Sequence, residues 1–212
     1  MSKTIVFFDI DGVVFDSQKF LSIFCEKFIQ ENKLNNSELD NIKNLYQEVR
    51  SEKGFFDPQA FLLKISSHYS IANKVLEKLW LDLEAFGKCL LVDESFLSKI
   101  QAEATIGIFS KGEINFQNKK IDKFKEIIQP ENVYIFEDKI IRISEVLKKY
   151  RTYKIYVIDD NINVLEGFKK IDSNVYVILI NNKQIENINS DINMVVENMQ
   201  QLPELLVAKI TS

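Results

Sequence analysis

Histidine, cysteine, glycine and proline are all scarce in this sequence, and long apolar runs are absent. One histidine and two cysteines, Cys25 and Cys89, argue against a zinc site, which needs four clustered ligands, and against a disulfide framework. Six glycines and three prolines exclude collagen-like and linker-rich architectures. The first apolar run, Ile5–Phe8, is too short for a signal peptide, and nowhere do eighteen apolar residues run together. We therefore expect a soluble, cytoplasmic protein.

Neither sign of charge dominates the chain. Its 27 basic and 31 acidic side chains give a net charge of -4, whereas nucleic acids and anionic membranes both favour a basic surface. We therefore expect neither as a partner. With 16 phenylalanines and 7 tyrosines, the chain can bury enough apolar area to offset its ordering entropy. The sequence leaves the oligomeric state open.

Short apolar runs alternate with amphipathic stretches through most of the chain. Strands are predicted at Thr4–Phe8, Thr105–Phe109, Val133–Phe136, Ile155–Ile158, Val175–Ile180 and Met194–Val196. Helices are predicted between the later strands, at Ile114–Ile128, Ile140–Tyr150 and Asn163–Ile171. This alternation predicts an α/β fold with a doubly wound parallel sheet.

The long segment between the first two strands has a helical pattern instead. Asp57-Pro58 is a typical helix start, and further helices are predicted around Ile71 to Phe86 and at Asp93 to Ala102. The predicted organisation is a Rossmann-like core of residues 1–16 and 101–212, with residues 17–100 inserted as an all-helical cap.

Polar residues follow three of the predicted strands, and in a parallel sheet reactive groups cluster at the carboxyl ends of strands. After the first strand comes Asp9-Ile10-Asp11-Gly12, in which two carboxylates can face one cleft if the chain turns at Gly12. A polar loop is the alternative reading of these residues, because Asp and Gly are common in turns.

The other two strand ends carry complementary chemistry. Asp159-Asp160 is a hard-oxygen pair suited to Mg²⁺, although Asp160 could simply cap the next helix. Ser110-Lys111-Gly112 offers a hydroxyl, a cation and a glycine for a phosphoryl oxygen, with an ordinary turn as the alternative. Lys139, taken alone, says almost nothing about function, because most lysines are solvated surface charges.

In this order, the four segments resemble the haloacid dehalogenase-like hydrolase superfamily. Phe7 to Ser17 is similar to its first motif, Ser110 to its second-motif Ser/Thr, Lys139 to its third-motif lysine and Asp159-Asp160 to its acidic fourth motif. The stretch from Ser110 to Ile121 is also similar. Residues 17–100 occupy the position of the cap type called C1.

The resemblance implies a phosphatase that uses Mg²⁺ and acts on a small phosphorylated metabolite. Asp9 would be the nucleophile that forms an aspartyl-phosphate, and Asp11 the general acid and base. Ser110 and Lys139 would stabilise the phosphoryl oxygens. Substrate binding would involve Gly12, Ser110, Lys111 and Gly112. The metal would be held by the Asp9 carboxylate, the Asp11 backbone carbonyl and Asp160, with Asp159 behind them or bound through water.

Two departures from the family pattern keep alternatives open. Lys111 stands where asparagine is usual, and Lys139 is followed by Ile140 rather than proline, so the two lysines could exchange roles. The alternatives are a phosphomutase of the same fold and a catalytically weak binding or regulatory protein. A dehalogenase is disfavoured, because family members of that type lack the acid that stands here at Asp11.

Overall fold

The fold is built on one parallel sheet of six strands. The computed structural model describes residues 3–72, 83–181, 188 and 191–211. The strands are β1 (Lys3–Phe8), β2 (Thr105–Lys111), β3 (Val133–Phe136), β4 (Tyr153–Asp159), β5 (Tyr176–Ile180) and β6 (Met194–Val196). Their order is β3-β2-β1-β4-β5-β6, and every pairing is parallel. The predicted Rossmann-like α/β class is therefore confirmed.

The continuous apolar runs reflect burial of the sheet on both faces. Ile5 and Phe7 of β1 pack into one hydrophobic cluster, whereas Val6 and Phe8 pack into another on the opposite face. Because successive side chains of a strand point to opposite faces, helices must cover both sides of β1. This central position places the end of β1 in the middle of the carboxyl edge.

Five described helices lie between β1 and β2. They span Ser17–Glu31, Glu38–Lys53, Pro58–Tyr69, Leu83–Lys88 and Glu94–Gln101. Asp57 caps the third of them by accepting a hydrogen bond from the Ala60 N–H, with Pro58 in its first turn. The helix predicted around Ile71 to Phe86 falls mostly outside the described residues. Division of the chain into core and cap remains a prediction.

The later helices alternate with the strands, as predicted, but two of them are shorter. They span Ile114–Ile121, Ile143–Lys149, Ile162–Ile171 and Leu202–Thr211. The helix predicted to reach Ile128 ends at Ile121, because the chain tightens into a 3₁₀ turn at Asp122–Phe124. After that turn the N–H groups of Ile127 and Ile128 both donate to the Phe124 carbonyl. The helix predicted from Ile140 likewise begins as a 3₁₀ turn, Ile140–Arg142.

The two cysteines and the hydropathy of the helices can be compared with what the composition predicts. Cys25 and Cys89 are both buried and free, in keeping with the expected absence of a disulfide framework. Within the ranges given above, no helix has the length and hydropathy of a membrane span.

Candidate active site

Sheet order brings three of the predicted site residues to one edge. β1 pairs with β2 on one side and with β4 on the other, so Asp9, Ser110 and Asp159 come from adjacent strand ends. The Asp9 N–H donates to the Ile158 carbonyl at 2.9 Å, which continues the β1–β4 ladder to the acid itself. Asp9 and Asp159 are therefore neighbours because of strand register.

Lys139 reaches this edge from the loop after β3 and bridges the two acids. Its Nζ lies 2.9 Å from Asp9 Oδ1 and donates to Asp159 Oδ2 at 2.6 Å, and all three side chains are buried. Of the lysines weighed from the sequence, Lys139 is therefore the one in contact with Asp9.

Burial and charge act in opposite directions on this trio. Burial raises the pKa of Asp9 and of Asp159, and Lys139 opposes both rises. Burial alone would lower the pKa of Lys139, but the two carboxylates outweigh it and raise that pKa. The geometry thus keeps a fixed positive charge against two buried acids.

The contribution of Lys139 to the stability of the fold can be measured directly. Replacing Lys139 by Gln leaves two buried acids facing each other without a cation. Breaking a buried ion pair typically costs about 3–5 kcal/mol, and we expect the free energy of unfolding to fall by that amount. Urea denaturation in the presence of a chelator measures it.

The control makes the same substitution at a lysine whose ion pair is exposed to solvent. Lys123→Gln removes a partner that lies 4.0 Å from Glu94 with both side chains exposed, so its effect should stay below about 1 kcal/mol. Equal losses for Lys123→Gln and Lys139→Gln would contradict the buried bridge.

Three carboxylates form a cluster that suits a divalent cation. One oxygen each from Asp9, Asp159 and Asp160 lies within 4.8 Å of the others. Hard oxygen donors are what Mg²⁺ prefers, so the donor set fits this ion. The Asp11 carboxylate lies outside this cluster and contacts Lys120, Gln117 and Ser17, while metal binding by its backbone carbonyl stays a prediction.

Position 12 requires a glycine, both for its backbone conformation and for the close approach of Asp160. Its φ of +80° is one that other residues rarely adopt, and a β-carbon there would lie 2.7 Å from Asp160 Oδ2. The absence of a side chain at Gly12 therefore allows Asp160 to approach the loop that follows β1. The Gly12 N–H donates to the Phe15 carbonyl, so it is engaged within the loop.

Ser110 presents a buried hydroxyl beside Asp9. It forms no hydrogen bond of normal geometry within the described residues, yet it lies close enough to Asp9 to lower the pKa of that carboxyl. A buried hydroxyl without a full hydrogen bond is costly, so Ser110 is a candidate donor to a bound anion. The neighbouring Gly112 N–H, in contrast, donates to the Phe136 carbonyl, so Ser110 is the better donor for a ligand.

Sequence reasoning missed the partners that hold Asp11. Lys120 donates to its Oδ1 at 2.5 Å, Gln117 donates to its Oδ2 at 2.7 Å, and the Ser17 hydroxyl contacts Oδ1. Burial acts to raise the pKa of Asp11, but Lys120 and these hydrogen bonds outweigh it and lower the pKa. Gln117 and Lys120 are three apart on one helix, so their shared face was the available signal.

A cavity of about 630 Å³ is lined by these groups and by residues of the helical segment between β1 and β2. The sheet edge contributes Asp9, Asp11, Gly12, Lys111, Gly112, Lys139, Asp159 and Asp160 to its lining. Ser110, which is fully buried, is not part of that lining. The opposite wall comes from the helical segment, including Tyr46, Arg50 and Phe56. A cavity of this size suits a small molecule.

Solved structures with the same fold cover almost the whole chain. A haloacid dehalogenase-like hydrolase from Burkholderia xenovorans LB400 is 17% identical, with a TM-score of 0.75, and the match covers 96% of this chain and 99% of that one. YfnB of Bacillus subtilis, a HAD-hydrolase solved with magnesium bound, is 14% identical, with a TM-score of 0.65 and coverage of 97% and 99%.

A dehalogenase has the same fold. The L-2-haloacid dehalogenase of Xanthobacter autotrophicus is 14% identical, with a TM-score of 0.63 and coverage of 98% of this chain and 99% of that one. No protein-family model matches the sequence, and no curated protein does. The comparisons therefore establish the fold, and the chemistry has to be argued from the site.

Proposed function

We propose that this chain, which has the fold of the haloacid dehalogenase-like hydrolases, is a Mg²⁺-dependent phosphatase of a small phosphorylated metabolite and acts through an aspartyl-phosphate. The observation that carries the proposal is the set of groups at the sheet edge. A buried carboxylate, Asp9, lies beside the ammonium of Lys139 and at the strand end next to the buried hydroxyl of Ser110. A nucleophile and two donors for an anion therefore converge on one place.

Asp9 is the nucleophile of the proposed reaction. Its carboxylate attacks phosphorus, the bond to the leaving oxygen breaks, and an acyl phosphate forms on Asp9. Attack requires the ionised form. The Lys139 ammonium favours that form against the effect of burial, which raises the pKa of Asp9.

Ser110 and Lys139 stabilise the transferred group. Negative charge is spread over the equatorial phosphoryl oxygens in the transition state, and donors fixed in a buried site stabilise it at little reorganisation cost. Ser110 supplies a buried hydroxyl beside Asp9, and Lys139 supplies a cation bound to Asp159.

The metal would be held by Asp9, by the Asp11 backbone carbonyl and by Asp160. When bound, Mg²⁺ supplies positive charge that lets an anionic nucleophile approach an anionic phosphate. Asp159 is already bound to Lys139 and accepts a hydrogen bond from the Asn161 N–H at 2.9 Å. It therefore orients Lys139 and adds charge behind the metal ligands.

Asp11 serves both half-reactions in this proposal. It gives a proton to the leaving oxygen and then, as a carboxylate, takes one from the water that hydrolyses the acyl phosphate. Lys120 lowers the pKa of Asp11, which favours the carboxylate needed for the second step and opposes the protonated form needed for the first. A dehalogenase needs no such acid, and the three partners that orient Asp11 favour a phosphatase.

Metal dependence tests the proposal. A panel of phosphorylated metabolites should be hydrolysed with Mg²⁺ and not in chelator, and Asp160→Asn should lose turnover at a Mg²⁺ concentration that saturates the unmodified protein. Replacing even an outer partner of a metal site typically weakens binding by about 10–100-fold, and loss of a ligand should cost at least as much.

The matched control is Asp172→Asn, because Asp172 lies outside the cavity and hydrogen-bonds to Asn174 at a surface turn. It should hydrolyse the panel like the unmodified protein. Full phosphatase activity in chelator would refute the metal assignment. Release of halide from 2-haloacids, with no phosphate released from any member of the panel, would refute the phosphatase itself.

A further inference from the structure

Two cations line the cavity, one from the helical segment and one from the sheet edge. Arg50 lies in the last turn of the helix Glu38–Lys53, and Lys111 is the last residue of β2. The Gly54 N–H donates to the Arg50 carbonyl, and Lys111 Nζ lies 3.7 Å from the position of a β-carbon on Gly54. Lys111 thus extends from the sheet edge to the helix end that carries Arg50.

Neither cation has a carboxylate partner within the described residues. The acids that flank Arg50 are bound elsewhere, because Glu48 and Glu52 both pair with Lys64. The described ion pairs include neither Arg50 nor Lys111, and Arg50 instead lies 5.9 Å from the Tyr46 ring centroid.

The positive charge of Arg50 acts on Lys120, which also lines the cavity. Burial lowers the pKa of Lys120, and the guanidinium of Arg50 lowers it further. Lys120 is buried and bound to Asp11, so Arg50 lies close enough to the interior of the site to repel it. Arg50 and Lys111 therefore contribute two positive charges to the lining of the cavity.

The wall near these cations is apolar. Phe20, Leu21, Phe55, Phe56 and Phe116 all line the same cavity. Phe116 contacts Phe20 and Phe56 with ring centroids 5.9 and 5.8 Å apart. The cavity therefore combines a cluster of carboxylates, aromatic side chains and two cations.

We propose that the substrate is a small phosphomonoester that carries a second anionic group, and that Arg50 and Lys111 bind that group. This inference rests on the proposed phosphatase function and narrows its substrate class. The transferred phosphoryl group already has Ser110 and Lys139, so the two outer cations are available for another anion. Cations that line a partly desolvated cavity are best satisfied by an anion on the ligand, and a guanidinium suits a carboxylate or phosphate in particular.

The experiment compares matched substrates. Phenyl phosphate carries only the reacting group, and ring-carboxylated and ring-phosphonylated phenyl phosphates add a second anion of either kind at different ring positions. We expect kcat/KM for the best dianionic analogue to exceed that of phenyl phosphate by about tenfold or more, mainly through KM. Charged hydrogen bonds typically contribute an effect of this size. The better of the two added groups identifies the kind of anion.

Substitutions of Arg50 and Lys111 test whether these two cations cause the preference for dianionic substrates. Arg50→Gln and Lys111→Gln should each reduce the ratio of kcat/KM between dianionic analogue and phenyl phosphate by about tenfold. Lys64→Gln is the control, because it removes the same charge from the helical segment at a residue that pairs with Glu48 and Glu52 outside the cavity. It should keep the ratio of the unmodified protein.

Binding separates this inference from the phosphatase function. Calorimetry with phenylphosphonate and its carboxylated and phosphonylated counterparts, which need no turnover, should show the same preference in Kd and its loss in both variants. Equal Kd values for all these ligands, or a preference that survives both substitutions, would overturn the second-anion site. A binding preference that depends on Arg50 and Lys111, in a protein that hydrolyses none of the esters, would support the site and overturn the phosphatase.

Discussion

Asp9→Asn is expected to abolish phosphate release from an aryl phosphate and to leave no acid-stable phosphoprotein. The amide has nearly the same shape as the carboxylate but cannot form the acyl phosphate, so the loss reflects a missing nucleophile. Turnover should fall to the background of the assay. Substrate binding should survive, because Ser110 and the cations of the cavity remain.

Two controls separate loss of chemistry from loss of fold. Asp9→Asn should unfold cooperatively in urea and should still bind phenylphosphonate, measured by calorimetry. Asp172→Asn, the same chemical change at a surface turn, should turn over normally. Turnover by Asp9→Asn at the rate of the unmodified protein would refute the nucleophile assignment.

Asp11→Asn is expected to lose most turnover while still forming some phosphoenzyme. General acid–base catalysis contributes about 10²–10⁴-fold, and the asparagine removes it from both half-reactions. With p-nitrophenyl phosphate the leaving group needs little protonation, so Asp9 can still be phosphorylated. The second step lacks its base, so the acyl phosphate should accumulate.

The dependence on leaving group distinguishes this role from a structural one. For a general acid, the loss in Asp11→Asn should grow as the leaving phenol becomes more basic, from p-nitrophenol to phenol. The matched variant Lys120→Met removes the cation that holds Asp11 but keeps the carboxylate, and it should show a weaker dependence. A loss that is the same for every phenol would show that Asp11 only maintains the site.

The sequence predicts the sheet and the polar residues at its carboxyl edge well, for a physical reason. Strands buried on both faces are continuous apolar runs, so the polar residues that follow them mark where each strand ends. Asp9, Ser110 and the Asp159-Asp160 pair were therefore visible as strand ends, and the six strands lie where the runs predict them. The family resemblance added Lys139, which composition alone did not distinguish from surface lysines.

Contacts between distant segments could not be predicted in the same way. Lys120 looks like one of two adjacent lysines on a helix, and only the packing of that helix against the first-motif loop brings it to Asp11. Arg50 belongs to a helix with no motif, and only the packing of that helix brings it to the same cavity as Lys111. Such contacts depend on helix packing, which the local pattern of a sequence does not encode.

The central claim is that Asp9 carries the phosphoryl group during turnover, and trapping that intermediate tests it most directly. The protein would be mixed with p-nitrophenyl phosphate and Mg²⁺, quenched in acid within the first turnovers and reduced with borohydride, which converts an acyl phosphate into an alcohol that mass spectrometry can locate. The account predicts the reduced residue at Asp9, in larger amounts in Asp11→Asn and absent in Asp9→Asn. Phosphate release by a protein that never shows this modification at Asp9, in either background, would contradict it.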